Sequence, residues 1–186
     1  MKRFVIRAAI VAAAMCFGGC QRSEAPVLFH PKGQPQMLGE WHVLSSDGKQ
    51  LRLNHGVEPY ALNTALFSDY AHKLRTIWMP PGTKATYSAT DAFEFPVGTI
   101  ISKTFYYPRA KDGAVLRVAE QKNESADGLD LSKVRLIETR LLVRRENGWT
   151  ALPYVWNEEQ TEATLSRAGE LVPLTRHKPD GSAKTS

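Results

Sequence analysis

The sequence predicts a mainly β domain, an antiparallel β-sandwich or open barrel with one or two short helices, on three observations. Turn dipeptides that tolerate positive φ lie between runs of β-forming residues at Asp47-Gly48, Asp112-Gly113 and Asn147-Gly148. Over residues 137–144, Ile137, Thr139, Leu141 and Val143 alternate with Glu138, Arg140, Leu142 and Arg144, the two-residue period of a strand with one face turned inward. Helical spacing of apolar residues is confined to two short stretches.

At the start of the chain, residues 1–19 have the anatomy of a signal peptide: Lys2, Arg3 and Arg7, then an apolar run over 8–17, then small residues. The run falls short of the roughly 20 apolar residues that a spanning helix needs. Phe17-Gly18-Gly19-Cys20 resembles the lipobox of bacterial lipoproteins, in which the cysteine is acylated and becomes the new N-terminus; Phe17 stands where Leu is usual. The alternative is an ordinary signal peptide cut near Gly19 beside an incidental cysteine. By the same resemblance, Gln21 favours the outer membrane, so the expectation is an exported protein lipid-anchored at Cys20, at the outer membrane where the organism has one. Residues 20–37 are polar, Pro- and Gly-containing and aperiodic, which reads as a lipid-anchored flexible tether with a reach of roughly 20 Å.

The β-rich domain is expected over residues 38–178. Its hairpins pair 41–44 with 50–53, 100–107 with 115–118, and 135–144 with 149–156 across the three turn dipeptides. Asn63 as a cap, followed by Leu66, Phe67, Tyr70 and Ala71, predicts a short helix over 64–73, and a second is expected over 158–168, ending near Gly169. Pro80-Pro81-Gly82 stops the strand that precedes it, and the polar stretch 120–131 reads as an exposed loop. About eight short strands result. Residues 179–186 read as a disordered or truncated tail, because the turn signal Pro179-Asp180-Gly181 is followed by too little chain for a partner strand.

Composition narrows the function. The net charge of +5 comes largely from Lys2, Arg3 and Arg7; without them the excess is +2, spread along the chain, which argues against a nucleic-acid surface. With 42% hydrophobic and 23% charged residues the chain has the makings of an ordinary core. Both cysteines, Cys16 and Cys20, precede the domain, so no disulfide framework is expected.

No catalytic motif emerges. His30, His42, His55, His72 and His177 are scattered outside metal-motif spacing, so no metal is expected. A haem ligated through Met37, Met79 or a histidine has no binding motif behind it. The densest polar-aromatic cluster is Tyr154, Trp156, Asn157, Glu158 and Gln160, with Asp69, Tyr70, Lys103, Glu138 and Arg140 as candidate neighbours for a ligand or partner. Aromatic faces beside carboxylates suit sugars, and paired carboxylates suit glycoside hydrolysis at the right separation. The competing reading makes Tyr154 and Trp156 core anchors, Asn157 a helix cap, and Glu94, Lys103, Glu138 and Arg140 members of a solvated face with cross-strand ion pairs.

Four blocks carry a family resemblance: Pro59-Tyr60-Ala61-Leu62-Asn63-Thr64-Ala65-Leu66-Phe67-Ser68-Asp69-Tyr70-Ala71; Phe95-Pro96-Val97-Gly98-Thr99-Ile100-Ile101-Ser102-Lys103-Thr104-Phe105; Leu136-Ile137-Glu138-Thr139-Arg140-Leu141-Leu142; and Gly148-Trp149 through Tyr154-Val155-Trp156-Asn157-Glu158-Glu159-Gln160-Thr161. Together, over residues 57–174, they resemble the N-terminal domain of a family of uncharacterised secreted bacterial proteins. The longer members of that family continue into a c-type, usually dihaem, cytochrome. The C-x-x-C-H motif that covalent haem requires is missing here, so no cofactor is expected in this chain. The resemblance implies a non-enzymatic, lipid-anchored accessory domain whose partner is a separate c-type cytochrome or another periplasmic protein; the alternative is a carbohydrate- or polymer-binding protein or hydrolase.

Overall fold

A computed structural model describes residues 25–64, 66–118, 128–169, 172, 175–177 and 183–185. The molecule is mainly β. The central pieces are β4 (His72–Trp78), β5 (Ile100–Pro108), β7 (Val134–Arg145) and β8 (Gly148–Trp156), flanked by the short edges β3 (Glu58–Pro59) and β9 (Ala163–Leu165). They form one antiparallel sheet in the order β3-β4-β5-β7-β8-β9. A second sheet joins β1 (Leu44–Ser46), β2 (Gln50–Leu53) and β6 (Gly128–Asp130), and β10 (Thr175–His177) pairs with β11 (Ala183–Thr185). Because β3 and β9 remain edges of the large sheet, it does not close into a barrel, as the predicted sandwich requires.

Alternation in the strands makes the core. Leu74, Ile100, Tyr106, Leu141, Val143, Leu152, Tyr154 and Trp156 point inward from the large sheet and meet Leu44, Leu51 and Leu129 of the small one, with Leu38 and Trp41 between. The buried hydroxyls on the inward face are paired, whereas His72 Nδ1 at the start of β4 has no partner among the described residues. Thr76 and Ser102 hydroxyls lie 2.6 Å apart, Thr104 and Thr139 hydroxyls 2.8 Å apart, and Trp156 Nε1 donates to Thr139 Oγ1 at 2.9 Å. Each of these buried hydroxyls therefore has the partner that burial demands.

Two of the three predicted hairpins form with shifted bounds: the first strand is 44–46 in place of 41–44, since Trp41 ends a 3₁₀ turn, and the last turn lies one residue earlier than read. Asp47-Gly48 joins β1 to β2, with the Asp47 carboxylate accepting from the backbone N–H of Lys49 and Gln50, and Glu146-Asn147 joins β7 to β8 with Gly148 at φ +116. The Asp112-Gly113 turn forms too, but it closes only a single bridge, Arg109 to Val115, because β5 spends its ladders on β4 and β7. The inward series Thr139, Leu141, Val143 holds; Ile137 does not join it. A β-bulge opposite Phe105 and Tyr106 leaves Ile137 unpaired and half-buried, and Leu136 takes the inward place.

Neither predicted helix is present among the described residues. Over 64–73 the described chain is irregular until β4, with Asp69 and Tyr70 at φ 48 and 64, and Leu66 and Phe67 face solvent. Helical spacing was a weak preference there, and the seven-residue ladder of β4 with β5 outweighs it. Over 158–168 the chain makes a tight turn with Gln160 at φ 59 and then runs into β9 beside β8. The only helical piece among the described residues is one 3₁₀ turn, Leu38–Trp41.

Three boundaries also change. Residues 25–37, expected as tether, are bound to the domain: Val27 and Phe29 pack on the core, Leu28 N donates to Trp41 O at 3.0 Å, and Leu165 N donates to Gln36 O at 2.8 Å. Residues 128–131, expected in a loop, supply β6 and two buried leucines, Leu129 and Leu131, whose apolar side chains the polar neighbours masked. Residues 183–185, expected in a tail, are the partner strand thought missing, pairing Thr185 with Thr175. The signal peptide, Cys20 and residues 119–127 lie outside the described residues.

Candidate functional site

The outward face of the large sheet collects more chemistry than any other surface described. Cross-strand register sets it in rows. Arg75 stands opposite Lys103, Lys103 opposite Arg140, and Arg140 opposite Pro153. One row along, Lys73 faces Phe105, Phe105 faces Glu138, and Glu138 faces Val155. On the other side of the cations, Ile77, Ile101, Leu142 and Ala151 make an apolar row.

Three cations on three adjacent strands are thus direct neighbours, an arrangement that costs stability in a sheet. Glu138 is the one carboxylate ion-paired to them among the described residues. It binds Arg140 through two bonds, Nε to Oε1 at 2.8 Å and Nη2 to Oε2 at 2.9 Å, along the strand rather than across it. That bidentate contact raises the Arg140 pKa above its ordinary value. Lys103 has the opposite shift: burial of its stem, then the charges of Arg140 and Arg75, hold its ammonium below the usual lysine range. Both cations lean on the same ring, with Lys103 Nζ 5.2 Å and the Arg140 guanidinium carbon 5.0 Å from the centroid of Phe105. Lys73, buried and donating to Leu66 O at 2.8 Å, is lowered as well, first by burial and then by Arg75 and Lys103.

The residues singled out in the sequence do not converge. Lys103, Glu138 and Arg140 share the outward face. Tyr154 and Trp156 point the other way, into the core: the Tyr154 hydroxyl accepts from Trp41 Nε1 at 2.8 Å and donates to Pro35 O at 3.0 Å. They are core anchors, as the competing reading had it. Glu138 and Trp156 lie on opposite faces of one sheet, so no sugar can be held between them. Asn157 caps a turn, not a helix, its Oδ1 accepting from the backbone N–H of Thr161 and Glu162. Glu158 contributes a carbonyl, bonded by the Arg135 guanidinium, and Gln160 reaches inward so that its Oε1 accepts the Leu136 N–H at 2.6 Å beside the bulge. Asp69 and Tyr70 lie off the bulged end of β5, where Arg117 pairs with the Asp69 carboxylate and stacks over Tyr70, and Tyr107 donates to Asp69 O at 3.1 Å. The Glu94 expected among the ion pairs instead bridges Thr86 through its backbone, away from the ladder.

Two clefts lie elsewhere among the described residues. One of about 280 Å³ lies between Gly39, His42, Ser46 and Glu162; a wider one of about 630 Å³ is bordered by Arg52, His55, Glu58 and Asp130. His30 and His42 donate to the backbone carbonyls of Glu40 and Pro26, and His72 to that of Val118. Among the described residues no three His, Cys, Asp or Glu come together as a metal site.

Arg75 and Phe105 were missed in the sequence, although Lys73, Arg75 and Ile77 carry the right two-residue period for the outward face of β4. What the period does not encode is the register that lines Arg75 up with Lys103 and Arg140. The four sequence blocks map onto β3 and the turn before β4, then β5, β7 and β8. No protein-family model, no curated protein and no solved structure matches the chain.

Proposed function

We propose that this protein is a non-enzymatic, lipid-anchored accessory domain that docks an acidic protein partner on the outward face of its six-stranded sheet. The observation that supports this most directly is the Arg75–Lys103–Arg140 ladder, three neighbouring cations with one carboxylate bound among them. An anionic partner laid across the ladder relieves the repulsion and finds Ile101, Leu142 and Phe105 on either side for apolar contact. The family resemblance supplies the partner's class, a separate extracytoplasmic c-type cytochrome, and the lipobox supplies the anchor at Cys20.

The test is co-purification from the native membrane, read as haem absorbance in the eluate. Haem is expected to be retained by the natural chain at low salt, released at high salt, and lost in Lys103→Glu with the far-ultraviolet circular dichroism unchanged. Absence of any haem protein, or retention that ignores both salt and the reversed charge, overturns the proposal. Mass spectrometry of the mature N-terminus checks the anchor separately, with acyl mass expected on Cys20.

A further inference from the structure

The smaller cleft, about 280 Å³, opens where the 3₁₀ turn and β1 meet the end of β8. Its floor is apolar: Leu38, Leu44 and Trp156 line it and are only 1%, 3% and 4% exposed. Its wall carries one carboxylate, Glu162, on the residue before β9. Glu162 Oε1 accepts two backbone amides, from Gly39 at 3.1 Å and from Ala163 at 2.8 Å. Oε2 accepts no hydrogen bond from a described residue, and no lysine or arginine among the described residues lines the cleft. Gly39 makes room for that second oxygen. Its backbone has none of the positive φ that favours glycine, so conformation does not require glycine there. Space does, because a methyl group at 39 would stand 2.7 Å from Glu162 Oε2 and displace the carboxylate.

Donors and acceptors around the cleft are unequally used. The Gly39 amide is spent on Glu162, the Asn54 side-chain amide on Ala25 O at 2.7 Å and His42 O at 2.6 Å, and the Ser46 hydroxyl on the Gln160 carbonyl. Acceptors are left over. His42 Nδ1 must carry its proton to donate to the Pro26 carbonyl at 3.0 Å, so Nε2 of the neutral ring keeps a bare lone pair. Glu162 Oε2 is the other, and it is charged.

A half-used carboxylate over an apolar floor calls for a ligand with donors and positive charge at one end and hydrocarbon at the other. An anion is repelled, and a neutral alcohol forgoes the charge-assisted bond. A guanidinium brings five donors in a fixed fork, most of which would go unmade here, whereas an ammonium brings three donors on a compact head. The volume stands at the small end of ligand cavities, which run from roughly 300 to 1,000 Å³. We infer that this cleft binds a primary alkyl ammonium group, its head on Glu162 Oε2 and its stem on Leu38, Leu44 and Trp156. Trp156 belongs to the inward face of the large sheet and Lys103 to the outward face, so this site stands independently of the docking surface.

The experiment titrates the isotopically labelled full chain with n-butylammonium and follows by nuclear magnetic resonance the Gly39 and Ala163 amides, whose acceptor is Glu162. Saturable shifts of both are expected, with half-saturation on the order of 1 mM. Binding of n-butanol is expected to be about tenfold weaker, and butyrate is expected not to bind. Glu162→Gln keeps an oxygen for the two amides and is expected to weaken n-butylammonium binding by about tenfold in a chain whose spectrum remains that of the folded protein. Lys103→Glu is expected to leave the affinity unchanged, which separates this site from the docking face. Nα-acetyl-lysine methylamide presents the same head on a peptide: binding tighter than n-butylammonium assigns the natural ligand to a protein's lysine, and weaker binding assigns it to a free amine. No saturable shift, equal affinity for n-butanol, or full affinity in a folded Glu162→Gln chain overturns the proposal. Where Glu162→Gln does not fold, the comparison of n-butylammonium with n-butanol decides by itself.

Discussion

Replacing Tyr154 by Phe removes one oxygen from the centre of the molecule and leaves the ring to pack as before. That oxygen accepts from Trp41 Nε1 and donates to the Pro35 carbonyl, so its loss strips the partner from an indole N–H on a side chain that is 0% exposed. A buried donor left unmade costs about 1–3 kcal/mol. The Pro35 carbonyl, nearer the surface, can turn to water and adds less. For a domain of this size about 2 kcal/mol lowers Tm by roughly 4–8 °C. The assay is thermal unfolding followed by tryptophan fluorescence, together with hydrogen exchange. Exchange is expected to accelerate at the Leu28 and Leu165 amides, whose bonds to Trp41 and Gln36 hold the 25–37 segment against the sheet. A Tm within about 1 °C of the natural chain, against the 2–4 °C expected per kcal/mol, refutes the claim that this hydroxyl ties the N-terminal segment to the core.

Trp156→Ala deletes a core aromatic that also holds Thr139, and is expected to cost about 3–5 kcal/mol in urea unfolding, without altering the salt dependence of partner binding in the fraction that remains folded. Loss of binding by a fully stable Trp156→Ala chain contradicts that placement. Lys103→Met is expected to raise stability at neutral pH, since the folded state holds this lysine below its unfolded value. Between the two pKa values the unfolded chain binds more protons, so the natural chain gains stability as pH rises toward 10.5 and the advantage of Lys103→Met shrinks. Urea unfolding at both pH values checks the sign; a difference that does not change with pH, or that widens, refutes it.

The parts of the fold legible in the sequence were those fixed by local chemistry. Asp47-Gly48 announces its turn because the Asp carboxylate bonds the next backbone amides, and 139–143 announces its inward face by alternation. The failures have a common cause, the dependence of those local signals on distant partners. Leu66, Phe67 and Tyr70 are spaced like a helix, yet β5 lies ready to pair with the chain that follows. Ile137 continues the alternation until a bulge, whose Leu136 amide is taken by Gln160 from 24 residues away, moves it out of register. At the candidate site Lys103, Glu138 and Arg140 were legible as outward residues. Tyr154 and Trp156 were grouped with them by proximity along the chain, and two strands of register assign them to the other side.

The two faces of the large sheet treat polar groups in opposite ways, and the contrast bears on function. Inside, Thr76 meets Ser102, Thr104 meets Thr139, and Trp156 meets Thr139, so these buried groups are satisfied within the fold. Outside, where a glutamate at the middle position of the row would pair two cations at once, the row reads Arg75, Lys103, Arg140, and among the described residues the one carboxylate bound to it sits one row away. A solvated face built for stability places opposite charges across strands, since like charges there repel. The ladder therefore runs against the stability of the isolated domain. It is consistent with a surface whose missing charges arrive on another molecule, and this is why Lys103→Met is expected to strengthen the fold while weakening the docking.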